Sequence, residues 1–582
     1  MKMKKRALQI LSAAMAAVMV AGCGTPAATN QTTAAAAGTD TGTGTGSYDE
    51  PMTFDIYDVA ANYQGTQSGW FAKVVKDKFN IELNMISPQV AGDGIYQTRC
   101  STGNLGDIVV LERTDFTDCV KAGLIKDITA DIKNYPNLMS YQDQIDVLNK
   151  AIPENKDGKT YGIPCQMTNT SPTSYSQDVI ASSPLLRWDL YSELGRPEIK
   201  NMDDLLDILE KMMKAHPTND AGDPAYPLSL WSDWDGGDGM LGIANVTQLT
   251  TWYGEKIKGS LLLKPDNTFI PVNSKDGTYY TMLHFLNEAN KRGIVDPDSG
   301  TQDWNTACDK MKTGRVYLMW YNWQVGFWNT QDRLKNGTAF IYTPIKDQTY
   351  YADADTYYGS GRVFAVGSQV DDAKYKRIMD FLDWYASPEG LTYQHDGLKD
   401  FNYTVGSDGK YTLINDNALM DNIPVPEELG GGGYNDGMNA INQWMVDAIS
   451  TDPNTGEPYN KDYWSTYKAA TMTQMKKDWA AKFGAAEPVD YMKDNKILLI
   501  SPNVSVSLPS DPADISIIRK QCNDLFCDYS WRMIYAKDDA EFDSLWEEMG
   551  TQMQGMGFDD LVKFDEDKYQ IELEAKQAVN KK

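Results

Sequence analysis

The segment WSDWDGGDG, which begins at Trp231, combines two indole rings with three carboxylates. A tryptophan face stacks on the C–H face of a pyranose ring, while carboxylates, amides or arginines beside it bind the hydroxyl groups. Trp231, Trp234 and Asp235 are therefore candidate contacts for a sugar. A surface loop whose rings anchor it to the core would have the same composition, so both interpretations stay open. The three carboxylates are Asp233, Asp235 and Asp238.

The same segment does not fit a calcium-binding loop. Asp233 and Asp235 could be the first two ligands, but the fifth position is Gly237 and the twelfth is Ala244, where a bidentate glutamate is expected. The three histidines lie far apart in the sequence, and no G-x-S-x-G or Walker motif is present. We therefore expect no metal ion and no cofactor.

Glycoside hydrolysis needs only two carboxylates, and such a pair is recognised by its separation in space rather than in sequence. Asp233, Asp235 and Glu112 could supply it. A surface glycosidase therefore remains an alternative function.

The N-terminal residues MKMKKRALQILSAAMAAVMVAGCG have the form of an export signal, a lysine-rich start followed by a short apolar run. Val20-Ala21-Gly22-Cys23 resembles the lipobox of bacterial lipoproteins, in which the signal is cleaved before a cysteine that is then lipidated. We expect residues 1–23 to be this signal with its lipidated Cys23. The small polar residues of 24–50 predict a flexible linker.

Size and charge narrow the classes of partner. A chain of 582 residues exceeds what one hydrophobic core usually organises, so two or more lobes are expected. The formal charge of -27 argues against nucleic acid and anionic lipid headgroups as partners, because both select for basic surfaces.

The hydrophobic pattern after the linker predicts an α/β fold. Residues 52–59 and 81–86 alternate like strands, 70–79 have helical spacing, and 107–111 form a continuous apolar run typical of a buried parallel strand. Ligands of such sheets bind beyond the carboxyl ends of the strands, which places Glu112 and Arg113 at a candidate site. A solvated pair at a strand end is the alternative.

Six blocks spread over most of the chain resemble, in their order, the extracellular solute-binding proteins of bacterial ABC importers. The resemblance is greatest to the LplA-like or LipO-like lipoproteins associated with carbohydrate uptake. It implies a type II periplasmic-binding-protein-like fold, in which two α/β lobes close on a sugar about a hinge, and no catalysis. The blocks are GDIVVLE, AGLIKDITADIKNYPNL, DGKTYGIP, LLRWDLYSELGRPEIKNMDDLLDIL, DFLDWYASPEG and DDAEFDSLWEEMGTQMQGMGFDDLVKFDEDKYQ.

The resemblance also suggests individual ligand contacts. TGRVYLMWYNW is similar to a family segment whose tryptophan stacks on sugar, which implies this role for Trp323 and possible participation of Trp320, with Tyr317 and Phe327 packing inward. Residues 218–223 do not reproduce the calcium loop of some relatives. Three further residues complete the predicted ligand contacts: Trp70, at the start of the first predicted helix, and Arg187 and Arg362, which lie where the family crosses between lobes and could instead form interlobe salt bridges.

The resulting hypothesis is a monomeric receptor on the extracytoplasmic face of the cell membrane, anchored through Cys23. It would bind an oligosaccharide or a uronic-acid-containing glycan and deliver it to the permease subunits of an ABC importer. We assign residues 51–165 and about 361–400 to the N-terminal lobe, 166–360 to the C-terminal lobe, and 401–582 to a helical region packing across both. Besides a glycosidase, a peptide-binding receptor is the remaining alternative.

Overall fold

The computed structural model describes residues 48–92, 94–153, 155–176, 179–237, 240–414 and 423–580. Cys23, the predicted signal and residues 24–47 of the predicted linker lie outside this range, as does Asp238. The described residues belong to one compact unit that begins at Tyr48. Within it, no helix is both long enough and apolar enough to span a membrane.

Most strands are short. They are β1 Met52–Asp58, β2 Gly65–Thr66, β3 Ile81–Ile86, β4 Ile108–Glu112, β5 Gly162–Pro164, β6 Ser182–Arg187, β7 Lys256–Lys258, β8 Leu261–Leu263, β9 Phe269–Pro271, β10 Leu318–Tyr321, β11 Phe340–Tyr342, β12 Tyr350–Asp353, β13 Arg362–Val366, β14 Tyr403–Val405, β15 Tyr411–Leu413, β16 Thr451–Asp452, β17 Glu457–Pro458 and β18 Leu498–Ser501.

Helices lie between the strands and dominate the C-terminal part. They are α1 Gly69–Phe79, α2 Pro88–Ala91, α3 Gly94–Thr102, α4 Arg113–Lys121, α5 Pro136–Met139, α6 Gln142–Lys150, α7 Trp188–Glu193, α8 Met202–Ala215, α9 Ala244–Thr250, α10 Thr278–Lys291, α11 Trp304–Lys312, α12 Gln331–Asn336, α13 Asp372–Tyr385, α14 Pro388–His395, α15 Ser465–Thr471, α16 Gln474–Phe483, α17 Pro488–Asp494, α18 Ala513–Ile534, α19 Asp539–Gly555 and α20 Phe558–Asn580. Short 3-10 helices include Ile132–Asn134, Asn322–Phe327, Glu427–Leu429 and Lys461–Tyr463.

The first lobe is built on a six-stranded sheet in the order β2-β3-β1-β4-β13-β5. β1 pairs in parallel with β3 and β4, whereas β13 is antiparallel to both β4 and β5. Successive residues of β4 face opposite sides, so Ile108 and Val110 join one hydrophobic cluster while Val109 and Leu111 join another. Both faces of the sheet are therefore covered, which explains the continuous apolar run of this strand.

The second lobe contains an antiparallel sheet in the order β10-β6-β11 and its own hydrophobic core. The buried side chains of that core come from residues 179–352 and 475–561. Those of the largest core cluster in the first lobe come from 54–167 and 364–459. Residues 425–459 and 475–561 thus pack in different cores, and the chain crosses between the cores three times.

A buried ion pair joins the C-terminal helices to each other and to the second lobe. Arg519 of α18 donates two parallel hydrogen bonds to Asp565 of α20, at 2.7 and 2.8 Å. Asp565 is fully buried and also accepts hydrogen bonds from the backbone N–H and the hydroxyl of Ser260, between β7 and β8. Asp511 contacts the same guanidinium at 2.5 Å.

We predict that Arg519→Ala lowers the free energy of unfolding by about 3–5 kcal/mol, because it leaves the Asp565 carboxylate buried without a counter-charge. Arg532 is the matched control, since it lies on the same helix, is exposed, and pairs with Asp528 only at 3.7 Å. Arg532→Ala should cost less than about 1 kcal/mol. Guanidinium denaturation measures both changes, and equal small effects would contradict the role given to Arg519.

Candidate functional site

A cluster of aromatic rings lies on the second lobe. Trp231 stacks on Trp320, with ring centroids 5.3 Å apart and planes inclined by 4°. Trp323 contacts Tyr321 at 5.1 Å, Trp304 at 5.3 Å and Trp234 at 6.2 Å. The structure therefore brings together the four tryptophans selected from the two aromatic segments, and adds Trp304 and Tyr321, which the sequence analysis did not select.

Exposure divides this cluster into a buried and an accessible part. Trp231 and Trp320 are 0% and 2% exposed, so these two rings pack in the core. Trp323 and Trp234 are 49% and 36% exposed. Trp323 is therefore the exposed tryptophan of the GRVYLMWYNWQVGFW segment, while Trp320 belongs to the core.

The local backbone explains why Trp323 points outward. β10 ends at Tyr321, and the chain turns at once into a 3-10 helix. The buried side-chain oxygen of Gln324 accepts hydrogen bonds from the backbone N–H groups of Trp320 and Tyr321, both at 2.9 Å. This contact fixes the turn, and the residue between Tyr321 and Gln324 that faces solvent is Trp323.

The carboxylates of the WSDWD segment hold its loop in place. Asp235 accepts hydrogen bonds from the Trp531 indole at 2.7 Å and from the backbone of Ala244 at 2.9 Å. Burial raises the pKa of Asp235 to about 6, against the opposing effect of these bonds. Asp233 accepts a bond from the backbone N–H of Trp304 at 3.0 Å. Both oxygens of Asp235 therefore have partners within the protein.

Glu112, Arg113 and Arg362 meet at the edge of the first sheet. Glu112 and Arg362 are opposite each other in the β4–β13 ladder and form an ion pair at 2.6 Å. Arg113 donates a hydrogen bond to Ser505 at 2.7 Å. Beside them lies Asp58, at the end of β1, where complete burial raises the carboxyl pKa to about 8 although a hydrogen bond and the charge of Arg362 oppose that rise. The Arg362 pair lies within the first lobe and is not an interlobe salt bridge.

Two predicted ligand contacts are packed elsewhere. Trp70 is 1% exposed in the core of the first lobe, where its indole donates to the carbonyl of Tyr434 and stacks on that ring. Arg187 forms a bidentate pair with Asp189, at 2.6 and 3.0 Å, and lies 4.5 Å from the centroid of Trp328. Neither side chain is brought to the surface that carries Trp323, because each has its polar atoms satisfied within its own lobe.

Trp323 lines a cleft of about 500 Å³ between the second lobe and the segment that makes the third crossing. The lining includes Ile180 just before β6, Ser183 within β6, and Asn322. Further lining residues are Leu413 of the β14–β15 hairpin, residues between 461 and 468, and residues between 475 and 492. This volume accommodates several sugar rings or a compact ligand of similar size.

The third crossing, which connects residues 459 and 475, contributes tyrosines and lysines to the lining of this cleft. Tyr463, Tyr467, Lys461 and Lys468 line it, and Lys476 follows at the start of α16. The sequence analysis assigned these residues only to a helical region. Tyrosines spaced four apart and followed by lysine are a weak signal, because the same pattern occurs on many solvent-exposed helices.

Comparison with known protein families identifies the class of the molecule. A family model described as bacterial extracellular solute-binding protein matches residues 64–392, which is more than half of the chain. The chain belongs to the bacterial extracellular solute-binding proteins. No curated protein sequence shows a significant similarity to it.

Solved structures of similar fold are ABC-transporter binding proteins. The S. pneumoniae substrate-binding protein FusA in complex with kestose has a TM-score of 0.57 and 15% identity, covering 90% of this chain and 99% of FusA. An HMO-binding solute-binding protein from Bifidobacterium longum infantis has a TM-score of 0.56 and 14% identity, with 90% and 99% coverage. The alginate-binding protein AlgQ2, solved without its calcium ion, has a TM-score of 0.58 and 14% identity, with 90% and 98% coverage. The predicted two-lobed α/β solute-binding fold is thereby confirmed.

Residues 218–223, which do not have the sequence of the calcium loop found in some relatives, lie in the loop after α8. Asn219 organises it: its side-chain oxygen accepts hydrogen bonds from the backbone N–H groups of Ala221 and Asp223, at 3.1 and 2.8 Å. In the described part of the chain, no three histidine, cysteine, aspartate or glutamate side chains are grouped so that they could share a metal ion.

Because Trp320 is buried and Trp323 is half exposed, we expect their substitution to affect the stability of the protein differently. Trp320→Ala should lower the free energy of unfolding by about 3–5 kcal/mol, because it opens a cavity beneath Trp231. Trp323→Ala should cost about 1 kcal/mol or less, since half of that ring already contacts water. Urea denaturation of both variants measures the contrast. A comparable large loss from Trp323→Ala would show that this ring also belongs to the core.

Proposed function

We propose that this solute-binding protein is a non-catalytic, monomeric receptor that captures an oligosaccharide or a uronic-acid-containing glycan and delivers it to the permease of an ABC importer. The observation that carries the proposal is the half-exposed Trp323 on the wall of the 500 Å³ cleft, supported by Trp304 and Tyr321 behind it. A broad aromatic face beside amide and hydroxyl groups is the surface that recognises pyranose rings.

Proteins of similar fold support a carbohydrate ligand. FusA binds kestose, the Bifidobacterium protein binds HMO, and AlgQ2 binds alginate. Their sequence identity to this chain is only 14–15%, so the sugar itself is not transferred. What they support is the class of ligand.

The candidate acid and base of a glycosidase have structural partners. Asp235 is held by Trp531 and Ala244, and Glu112 by Arg362. A general acid must present its proton to the glycosidic oxygen, and a base must reach water or the sugar ring. These contacts favour the receptor over the surface glycosidase.

The proposed location is the extracytoplasmic face of the cell membrane, through lipid attached to Cys23. Residues 24–50 would then serve as the tether between the membrane and the lobes. A single cysteine behind a lysine-rich, apolar segment supports the anchor, and one lipid chain binds a membrane only weakly, so diacyl modification is the expected form.

A thermal-shift screen against neutral oligosaccharides, uronates and short peptides tests the receptor function. A ligand at 100 times its dissociation constant stabilises the folded state by about 2.7 kcal/mol, and Trp323→Ala should weaken a saccharide ligand by about 1–3 kcal/mol through loss of stacking area. The bound sugar should be recovered intact by chromatography. Cleaved sugar would establish the glycosidase, and shifts with peptides alone would establish a peptide receptor.

The anchor is tested by expression in a bacterial host with radiolabelled palmitate. The wild-type protein should carry the label and sediment with membranes, whereas Cys23→Ala should carry none. Cys100→Ala removes a partly exposed thiol within the folded part and should retain the label. An unlabelled wild-type protein in the soluble fraction would refute the anchor.

A further inference from the structure

The cleft beside Trp323 reverses the charge balance of the chain. Overall, 81 acidic residues outnumber 54 basic ones. The residues that line the cleft include three lysines, Lys461, Lys468 and Lys476, but only two carboxylates, Asp462 and Glu487. A locally basic concavity on an acidic protein focuses anionic ligands.

Two of these lysines have no carboxylate partner among the described residues. Lys461 lies 3.4 Å from Asp462. Lys468 and Lys476 form no ion pair or side-chain hydrogen bond through their ammonium groups with any residue that the structure describes. The ammonium of Lys468 lies 5.2 Å from the centroid of Tyr463, a position that directs it along an aromatic surface instead of toward a carboxylate.

These two lysines lie on successive helices, α15 and α16. Lys468 lies on α15, beside the hairpin of β14 and β15, and Lys476 lies in the first turn of α16, which packs in the core of the second lobe. The N-terminal end of α16, capped by Thr473, also faces the cleft through Met475 and Lys476. The positive end of the helix dipole thus adds to the lysine charges without being needed to define the site.

From this arrangement we propose that the cleft selects an anionic saccharide, whose negative group is bound by Lys468 and Lys476 while a ring stacks on Trp323. The negative group is a uronate carboxylate or a sulfate ester, both of which accept charge-assisted hydrogen bonds from an ammonium group. This inference rests on the proposed receptor function and narrows its substrate class.

Titration calorimetry of the full chain with matched pairs of sugars tests the proposal. Trigalacturonate is compared with its methyl ester, a trimannuronate with its methyl ester, and sulfated lactose with lactose. In each pair the shape is similar and the charge differs. In at least one pair the anionic member should bind at least about tenfold more tightly than its neutral partner, and this preference should diminish as salt is added.

Lys468→Gln and Lys476→Gln should each reduce affinity for that anionic sugar by about tenfold and leave binding of its neutral partner nearly unchanged. Lys477→Gln is the matched control, since Lys477 is the next residue of α16, is exposed and does not line the cleft. It should bind the anionic sugar as the wild type does. Circular dichroism and unfolding temperature establish that the three variants are equally folded.

The outcomes separate this inference from the receptor function. Charge preference that depends on Lys468 and Lys476 supports it. Binding of neutral and anionic members with equal affinity, or binding of neutral oligosaccharides alone, overturns the anionic specificity while the receptor function stands. If no saccharide of either charge binds, the receptor function falls, and the anionic specificity falls with it. A charge preference lost equally in Lys477→Gln would place the anion outside the cleft and overturn the assignment.

Discussion

The position of β13 between β4 and β5 is the constraint on which the two-lobed arrangement depends. Val363 pairs with Leu111 on one side and with Pro164 on the other, so the chain leaves the first sheet and re-enters it in adjacent strands. The departing and returning segments touch through hydrogen bonds between Cys165 and both Arg362 and Ser360. At Gly359, with φ of +92°, a Cβ atom would lie 2.5 Å from the Cys165 carbonyl, so the close approach requires glycine. The residues between these strands are thereby inserted on two neighbouring connections, and residues 475–561 join the same lobe through the third crossing.

The exposure of the clustered rings increases from the core of the second lobe outward to Trp323. Trp231 and Trp320 stack in the core of the second lobe, Trp304 and Tyr321 are partly covered, and Trp323 is half exposed. A ring that must bind and release ligand cannot be fully buried, but it must be held in one orientation to keep the entropic cost of binding small. The contacts behind Trp323 satisfy both requirements. They also explain why the carboxylates of the WSDWD loop are occupied internally: Asp233 and Asp235 fix the loop to α11 and α18.

Regular local patterns made much of the first lobe predictable. The expected strand at 107–111 is Ile108–Glu112, displaced because Glu112 continues the ladder opposite Arg362. That pairing joins residues 250 positions apart, which no local pattern reveals. No residue bounds were predicted for α3, since it has no buried residue and therefore no apolar stripe. The aromatic nature of the site was apparent from sequence, yet the choice between Trp320 and Trp323 depended on the turn fixed by Gln324. The lysines of the cleft could not be predicted, because only the folded chain brings residues 461–476 into the same cleft as Trp323.

The charge of the cleft affects which ligand the proposed receptor would bind. Lys468 lies on α15, which contacts both the strand β15 and the helix α12, and Lys476 lies on α16, which also contacts α12. Two like charges that share a cleft repel each other. An anion placed between them replaces that repulsion with attraction on both sides, and the gain is greatest when the walls are close and water is displaced. A neutral sugar would stack on Trp323 without this change. In the proposed receptor, the sign of the ligand charge, and not only the shape of the sugar, would therefore contribute to the affinity.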